Sequence, residues 1–229
     1  MPARSTKITP KVVAETDQFL ALSLPAGPLQ CNCSIIGDKT TGRAIVADPG
    51  GDGQAILDVL NQQGFHTVTN IVHTHAHFDH ILASGEIHEA TGAPLGLQAA
   101  DRFLWDNVDQ QCARFGMPFD GKPLPPPTAL SNEQELSIVE GLSAQCIHTP
   151  GHTPGSMCFH FKPLDLLLGG DTLFKRSIGR TDLWGGDPEA IVRSIKKRLF
   201  VLDEDTTVVT GHGPATTLGD EMRHNPYLK

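Results

Sequence analysis

The chain has 229 residues, 39% of them hydrophobic and 19% charged, enough to build one globular domain over residues 1–229 around a sizeable core. A formal charge of -8 and a pI near 5.7, with no basic run beyond KKR at 196–198, exclude a surface made for phosphate backbones, so nucleic acid is not an expected partner. The opening MPARSTKITPKVVAETDQFL holds no signal-peptide-like apolar stretch, and nowhere do roughly 18 apolar residues run together, so a soluble cytoplasmic chain with no membrane partner is expected. Five cysteines, an odd number without framework spacing, fit reduced thiols. Cys31 and Cys33 alternate within a strand-like run, which puts two small apolar side chains on one face rather than a metal or redox pair.

In chain order, FLALSL (19–24), CNCSII (31–36) and RAIVAD (43–48) read as strands, the last two joined by the turn-forming GDKTTG, and together predict a β-meander. GQAILDVLNQQ (53–63) places Ile56, Leu57 and Leu60 at helical spacing and stops at Gly64. VTNIVH (68–73) reads as a buried strand, followed by HTHAHFDH (73–80) and a helix near 81–91. Residues 105–127, WDNVDQQCARFGMPFDGKPLPPP, form a long, proline-rich, aromatic insert, read equally as a lid over substrate or as a packed surface loop. LSIVEG and LSAQCIHT make a hairpin, SMCFHF and LDLLLGG two further strands, and TTVVT a last one. Asp187, with Pro188 in the first turn, caps a helix running to about 199. Strands followed by helices in two similar halves, with reactive loops on one edge, predict an α/β fold of the four-layer αββα sandwich kind.

The stretch 73–80 gathers four histidines and an aspartate. His75 and His77 alternate, so extended backbone aims both at one point, while Asp79 and His80 fall on the following turn and aim at a second. Three more candidates sit at strand ends beside glycine: His152 in TPGHTPG, Asp171 after LLLGG and His212 in GHG. One ion cannot take all seven, but two can. The partition that balances charge puts His75, His77 and His152 on one, Asp79, His80 and His212 on the other, and Asp171 between them. Imidazole and carboxylate suit zinc first, and also iron or manganese, so two divalent metal ions are the expected cofactors. Such a pair lowers the pKa of a bridging water and polarises a carbonyl, which predicts hydrolysis by a metal-bridging hydroxide; Asp79 then orients the hydroxide or takes its proton. No GxSxG elbow, HExxH helix or PCxxC pair offers another route. His73 belongs to the strand and reads as a packing or supporting group, and His66, His88, His148, His160 and His224 as surface or hydrogen-bonded groups.

THAHFDH (74–80), with His152, Asp171 and His212, resembles the T-H-x-H-x-D-H signature and later ligands of the metallo-β-lactamase superfamily. The resemblance spans about residues 19–215 and implies the αββα sandwich and the two-metal partition. DPGGD (48–52), GGDTLF (169–174), SIGRTDLWGGD (177–187) and the ending GHGPATTLGDEMRHNPYLK are similar to the short branch of hydroxyacylglutathione hydrolases, the type II glyoxalases. That implies cleavage of the thioester of S-lactoylglutathione to lactate and glutathione, with a small-molecule thioester or ester as the partner; no oligomeric state is specified. The longer glyoxalases add a C-terminal helical domain whose basic residues grip glutathione, absent from these residues, and a lysine and a tyrosine after GDTLF. Here Arg180 stands for the lysine and Asp182 for the tyrosine, so Arg180 either binds an anionic substrate end or pairs with Asp182. Two alternatives are an iron-dependent persulfide dioxygenase, whose GRTD stretch is like 179–182, and a hydrolase of another ester or lactone. β-Lactam hydrolysis would accompany an exported chain, and RNA processing a basic surface.

Overall fold

The computed structural model describes residues 9–119 and 121–229. Seven strands lie side by side in chain order in the first sheet: β1 (Lys11–Glu15), β2 (Phe19–Ala26), β3 (Cys31–Asp38), β4 (Arg43–Ala47), β5 (Thr67–Val72), β6 (Leu95–Gln98) and β7 (Thr128–Leu130). Pairing is antiparallel from β1 to β4 and parallel from β4 to β7. The second sheet takes β8 (Glu135–Val139), β9 (Leu142–His148), β10 (Met157–Phe161), β11 (Leu166–Gly170), β14 (Thr207–Thr210) and β15 (Thr216–Thr217), ordered β15-β14-β11-β10-β9-β8. A small ribbon, β12 (Leu173–Phe174) with β13 (Ser177–Ile178), stands apart.

Period-two alternation sorts the side chains into three cores and so makes four layers. Leu20, Leu22 and Leu24 of β2 face α1 (Gly53–Gln62) and α3 (Ser84–Thr91), while Phe19 and Ala21 face the second sheet. In β11, Leu166 and Leu168 meet the first sheet, and Leu167 turns outward under α6 (Pro188–Ser194) and α7 (Leu218–His224). This is the expected αββα sandwich. Among the described residues no helix is long and apolar enough to cross a membrane.

Some predicted boundaries shift. The helix expected near 81–91 is two, α2 (Phe78–Ile81) and α3, parted by a turn at Leu82–Ala83 where the Ala83 N–H donates to Pro49 O at 2.9 Å instead of to the preceding helical turn. The insert at 105–127 begins on the last residue of α4 (Arg102–Trp105) and includes α5 (Val108–Arg114), with Val108, Gln111 and Cys112 buried at helical spacing. LDLLLGG begins in a short 3-10 turn, and the helix capped by Asp187 ends in a π-helical turn over Ile195–Leu199. That cap forms as predicted, Asp187 accepting from the backbone N–H of Glu189 and Ala190 at 2.9 Å each.

Candidate metal centre

After β5 the chain bends at Thr74 and is extended at His77, and the rings of His75 and His77 come together with centroids 4.7 Å apart. His152, in the loop after β9, closes the group: its Nε2 lies 3.2 Å from His75 Nε2 and 2.9 Å from His77 Nδ1. Asp79 and His80 stand on the single turn of α2 rather than on an irregular turn, and that helical step swings them to a second point. There His212 Nε2 approaches Asp79 Oδ2 at 3.0 Å and His80 Nε2 approaches the same oxygen at 3.8 Å. Asp171, directly after β11, lies between: Oδ2 is 3.6 Å from His152 Nε2, whereas Oδ1 is 3.5 and 3.9 Å from the Nε2 atoms of His80 and His212. All seven predicted residues thus converge: His75, His77 and His152 come together, as do Asp79, His80 and His212, and His80 also stands with His75 and Asp171 and with Cys31 and Asp48. No side chain fits at position 211, since a Cβ on Gly211 would press into Asp171 Oδ1.

The donor set fits divalent cations. Ligands held about 2.1 Å from a tetrahedral ion stand about 3.4 Å apart, close to these separations. His80 Nε2 and Asp171 Oδ1 are buried without a hydrogen-bond partner, a costly state that an ion would relieve. Burial and neighbouring imidazoles push His75 well below its ordinary pKa, and burial with His152 pushes His77 down to about 3, which keeps both rings in the neutral, ligating form. Burial would raise Asp79 and Asp171, but His80 and His212 beside both, with His152 also beside Asp171, hold these carboxyls below the usual range. His80 and His212 run the other way: burial would lower them, but Cys31, Asp48 and Asp79 beside His80, and Asp79 and Asp171 beside His212, raise both, so a cation binding there would displace protons from these two rings.

The outer nitrogens are anchored. His75 Nδ1 meets Thr74 Oγ1 at 3.1 Å, and that hydroxyl donates to Asp48 Oδ2 at 2.6 Å. His80 Nδ1 lies 3.1 Å from the same oxygen and 3.3 Å from Cys31 Sγ, so Cys31 supports a histidine rather than merely filling a strand face. His152 and His212 place Nδ1 at the carbonyls of Arg180 (2.7 Å) and Leu29 (3.1 Å). Such partners fix the tautomer that leaves the inner nitrogen's lone pair free.

Asp101, wholly buried, accepts from Ala76 N (3.1 Å), Thr153 Oγ1 (2.7 Å) and Gly155 N (2.6 Å), tying the first histidine loop to that of His152. Asn32 does the same for the His212 loop, donating to the carbonyls of Thr210 and Gly213 at 2.9 Å each. Sequence reading missed both, because each is a single polar residue in or after a strand with no partner nearby in the chain. His73 stays out of the cluster as expected, its ring bonded to Gly96 O (3.0 Å) and Ser84 Oγ (2.7 Å) and edge-on to Trp105.

A cavity of about 190 Å³ opens over the cluster, with His77, Asp79, His152, Asp171 and His212 at its base. Leu104 of α4 with Gln111, Arg114 and Phe115 of the insert make one wall, and Leu183 and Trp184 another. Arg180 lines this cavity, but its Nε and Nη2 are both taken by Asp182 at 2.7 and 2.8 Å. Of its two expected roles, pairing with Asp182 is the one observed.

The metallo-beta-lactamase superfamily model matches residues 26–212. A hydroxyacylglutathione hydrolase, GloC, of Haemophilus influenzae is 34% identical over 206 residues, 90% of this chain and 96% of that protein. The crystal structure of the BLEG-1 B3 metallo-beta-lactamase superposes with a TM-score of 0.83 at 38% identity, covering 91% of this chain and 99% of that one. That of TTHA1623 in a di-iron-bound form gives 0.81 at 36% identity, over 90% and 99%. The chain belongs to the metallo-beta-lactamase superfamily, a family of metallo-hydrolases, and carries a cluster of His and Asp able to bind metal.

Proposed function

We propose that the chain is a binuclear metallohydrolase that cleaves a thioester of the S-lactoylglutathione type. The observation that carries the reading is Asp171, whose two oxygens face the two separate histidine groups, one of them buried with no hydrogen-bond partner. His75, His77 and His152 would hold one divalent cation, Asp79, His80 and His212 the other, and Asp171 would bridge them. Zinc suits the donors first, and iron or manganese next; the similar TTHA1623 has been crystallised in a di-iron form. When bound, the cations would supply Lewis acidity, making a water nucleophilic near neutral pH and polarising the acyl oxygen.

The chain's own residues do the rest. The cavity receives the substrate with its carbonyl over the cluster. Water oxygen bonds to the acyl carbon, the C–S bond breaks, and acid and thiol leave. Asp79 would take the water's proton on Oδ1, the oxygen not engaged by His212, and return it to the departing thiolate. The likeness to a hydroxyacylglutathione hydrolase supports a thioester as substrate. The likeness to a B3 metallo-beta-lactamase makes β-lactam hydrolysis the second reading.

The test is elemental analysis of the purified protein alongside assays on S-lactoylglutathione, on nitrocefin, and on glutathione persulfide with an oxygen electrode. Close to two metals per chain with thioester cleavage is the expected result. One iron with oxygen uptake would make the chain a dioxygenase, and nitrocefin turnover without thioester cleavage would favour the second reading.

A further inference from the structure

Two arginines line the cavity, and they are in opposite states. Arg180 has its charge met by the bidentate Asp182 carboxylate. Arg114, the last residue of α5, lies with Cζ 4.4 Å from the centroid of the Trp184 ring, and among the described residues its guanidinium has no carboxylate or hydrogen-bond partner. Stacking occupies the face of a guanidinium and leaves its N–H edge free, the edge that matches a carboxylate bidentately. Next to it, Phe115 packs on Phe78, ring centroids 4.9 Å apart, so the wall that carries Arg114 is fastened to the residue preceding Asp79.

The cavity therefore has a polar base of His and Asp, an apolar and aromatic wall, and one unmatched cation on that wall. In a chain of net charge -8, such a cation is a selective feature. We infer that Arg114, seated on Trp184, is the specificity-determining group of this site and receives a carboxylate carried by the part of the substrate that does not react. The inference rests on the hydrolase reading for the position of the reacting carbonyl, but the binding of a carboxylate can be tested without turnover.

Trp184 itself is the reporter, since it is half-buried under Arg114 while Trp105, the second of the two tryptophans, is buried. Quenching of its fluorescence in the metal-loaded protein would be titrated with S-methylglutathione and with the diester of the same compound. The wild type is expected to bind the free acid about 10- to 100-fold more tightly than the diester, the range of one charge-assisted contact. In Arg114→Gln that ratio should fall toward one, and in Arg114→Lys to an intermediate value. A ratio near one in the wild type, or a ratio unchanged in Arg114→Gln, would overturn the proposal.

With thioester turnover in hand, the Arg114→Gln loss in kcat/KM should appear in KM. Absence of all turnover with the binding ratio intact would sink the hydrolase reading and leave the carboxylate site standing.

Discussion

Asp101 is a carboxylate in a place where charge is expensive, and its three donors explain why it is tolerated. Asp101→Asn keeps the shape but turns an amide NH2 toward at least one of those N–H or O–H groups. Metal affinity, read by competition with a chelator, should fall about 10- to 100-fold, as is usual for the loss of a group that orients a ligand. On the proposed two-metal reading, Asp171→Ala should cost both metals and all hydrolysis, by elemental analysis and thioester assay. His73→Ala should retain metal while losing about 2–4 kcal/mol of stability in denaturant titration, because it opens a cavity and leaves Ser84 Oγ and Gly96 O facing it; the reverse pattern would show that the wrong histidines had been chosen. The seven residues of the cluster were readable because four crowd into one short motif and three stand beside glycines. Asp101, Asn32 and Cys31 act through contacts 25 to 181 positions away in the chain, and no local pattern announces them.

At the level of elements, long strands and amphipathic helices declare themselves by period, and short or half-polar ones do not. β1, β6 and β7 have 5, 4 and 3 residues, too few for alternation to be seen. α5 went unseen because only Val108 and Cys112 of its buried face are apolar, the third being Gln111, which bonds to the carbonyls of Ala76 and Leu104. The β3–β4 turn gives a pH test. Asp38 accepts from Thr40 N (2.7 Å), Thr41 Oγ1 (3.0 Å) and Gln18 Nε2 (3.3 Å); burial alone would raise its pKa, but these donors lower it. A folded pKa below the unfolded value of about 3.9 means that the contribution is complete above that value and is lost as pH falls through the folded one. The stability gap between the wild type and Asp38→Asn should therefore be full at neutral pH and close below about pH 4; a gap that widened in acid would contradict this sign. Asp187→Ala, which removes the cap of α6, should cost about 1 kcal/mol by the same denaturant titration.

Across the whole molecule, the cluster is supplied by both halves of the sandwich. The first sheet and the helix after it bring His75, His77, Asp79 and His80, and the loops of the second sheet bring His152, Asp171 and His212. Ions bound there favour only the folded chain, so stripping them with a chelator should lower the melting temperature, by an amount equivalent to about 4 kcal/mol if the free ion had been at 1,000 times its Kd. The same division makes the protein a natural logic element. Between β7 and β8 the chain passes through an exposed segment at 131–133, outside both strands but tied to β9 by Glu133 N–H to Cys146 O at 2.8 Å and by His148 N–H to Asn132 Oδ1 at 2.9 Å. Opened at that point, it would yield two fragments, each holding an incomplete set of ligands. Catalysis would then require that both be present and paired, and turnover by the mixture but by neither fragment would make the enzyme a reporter of two chains meeting.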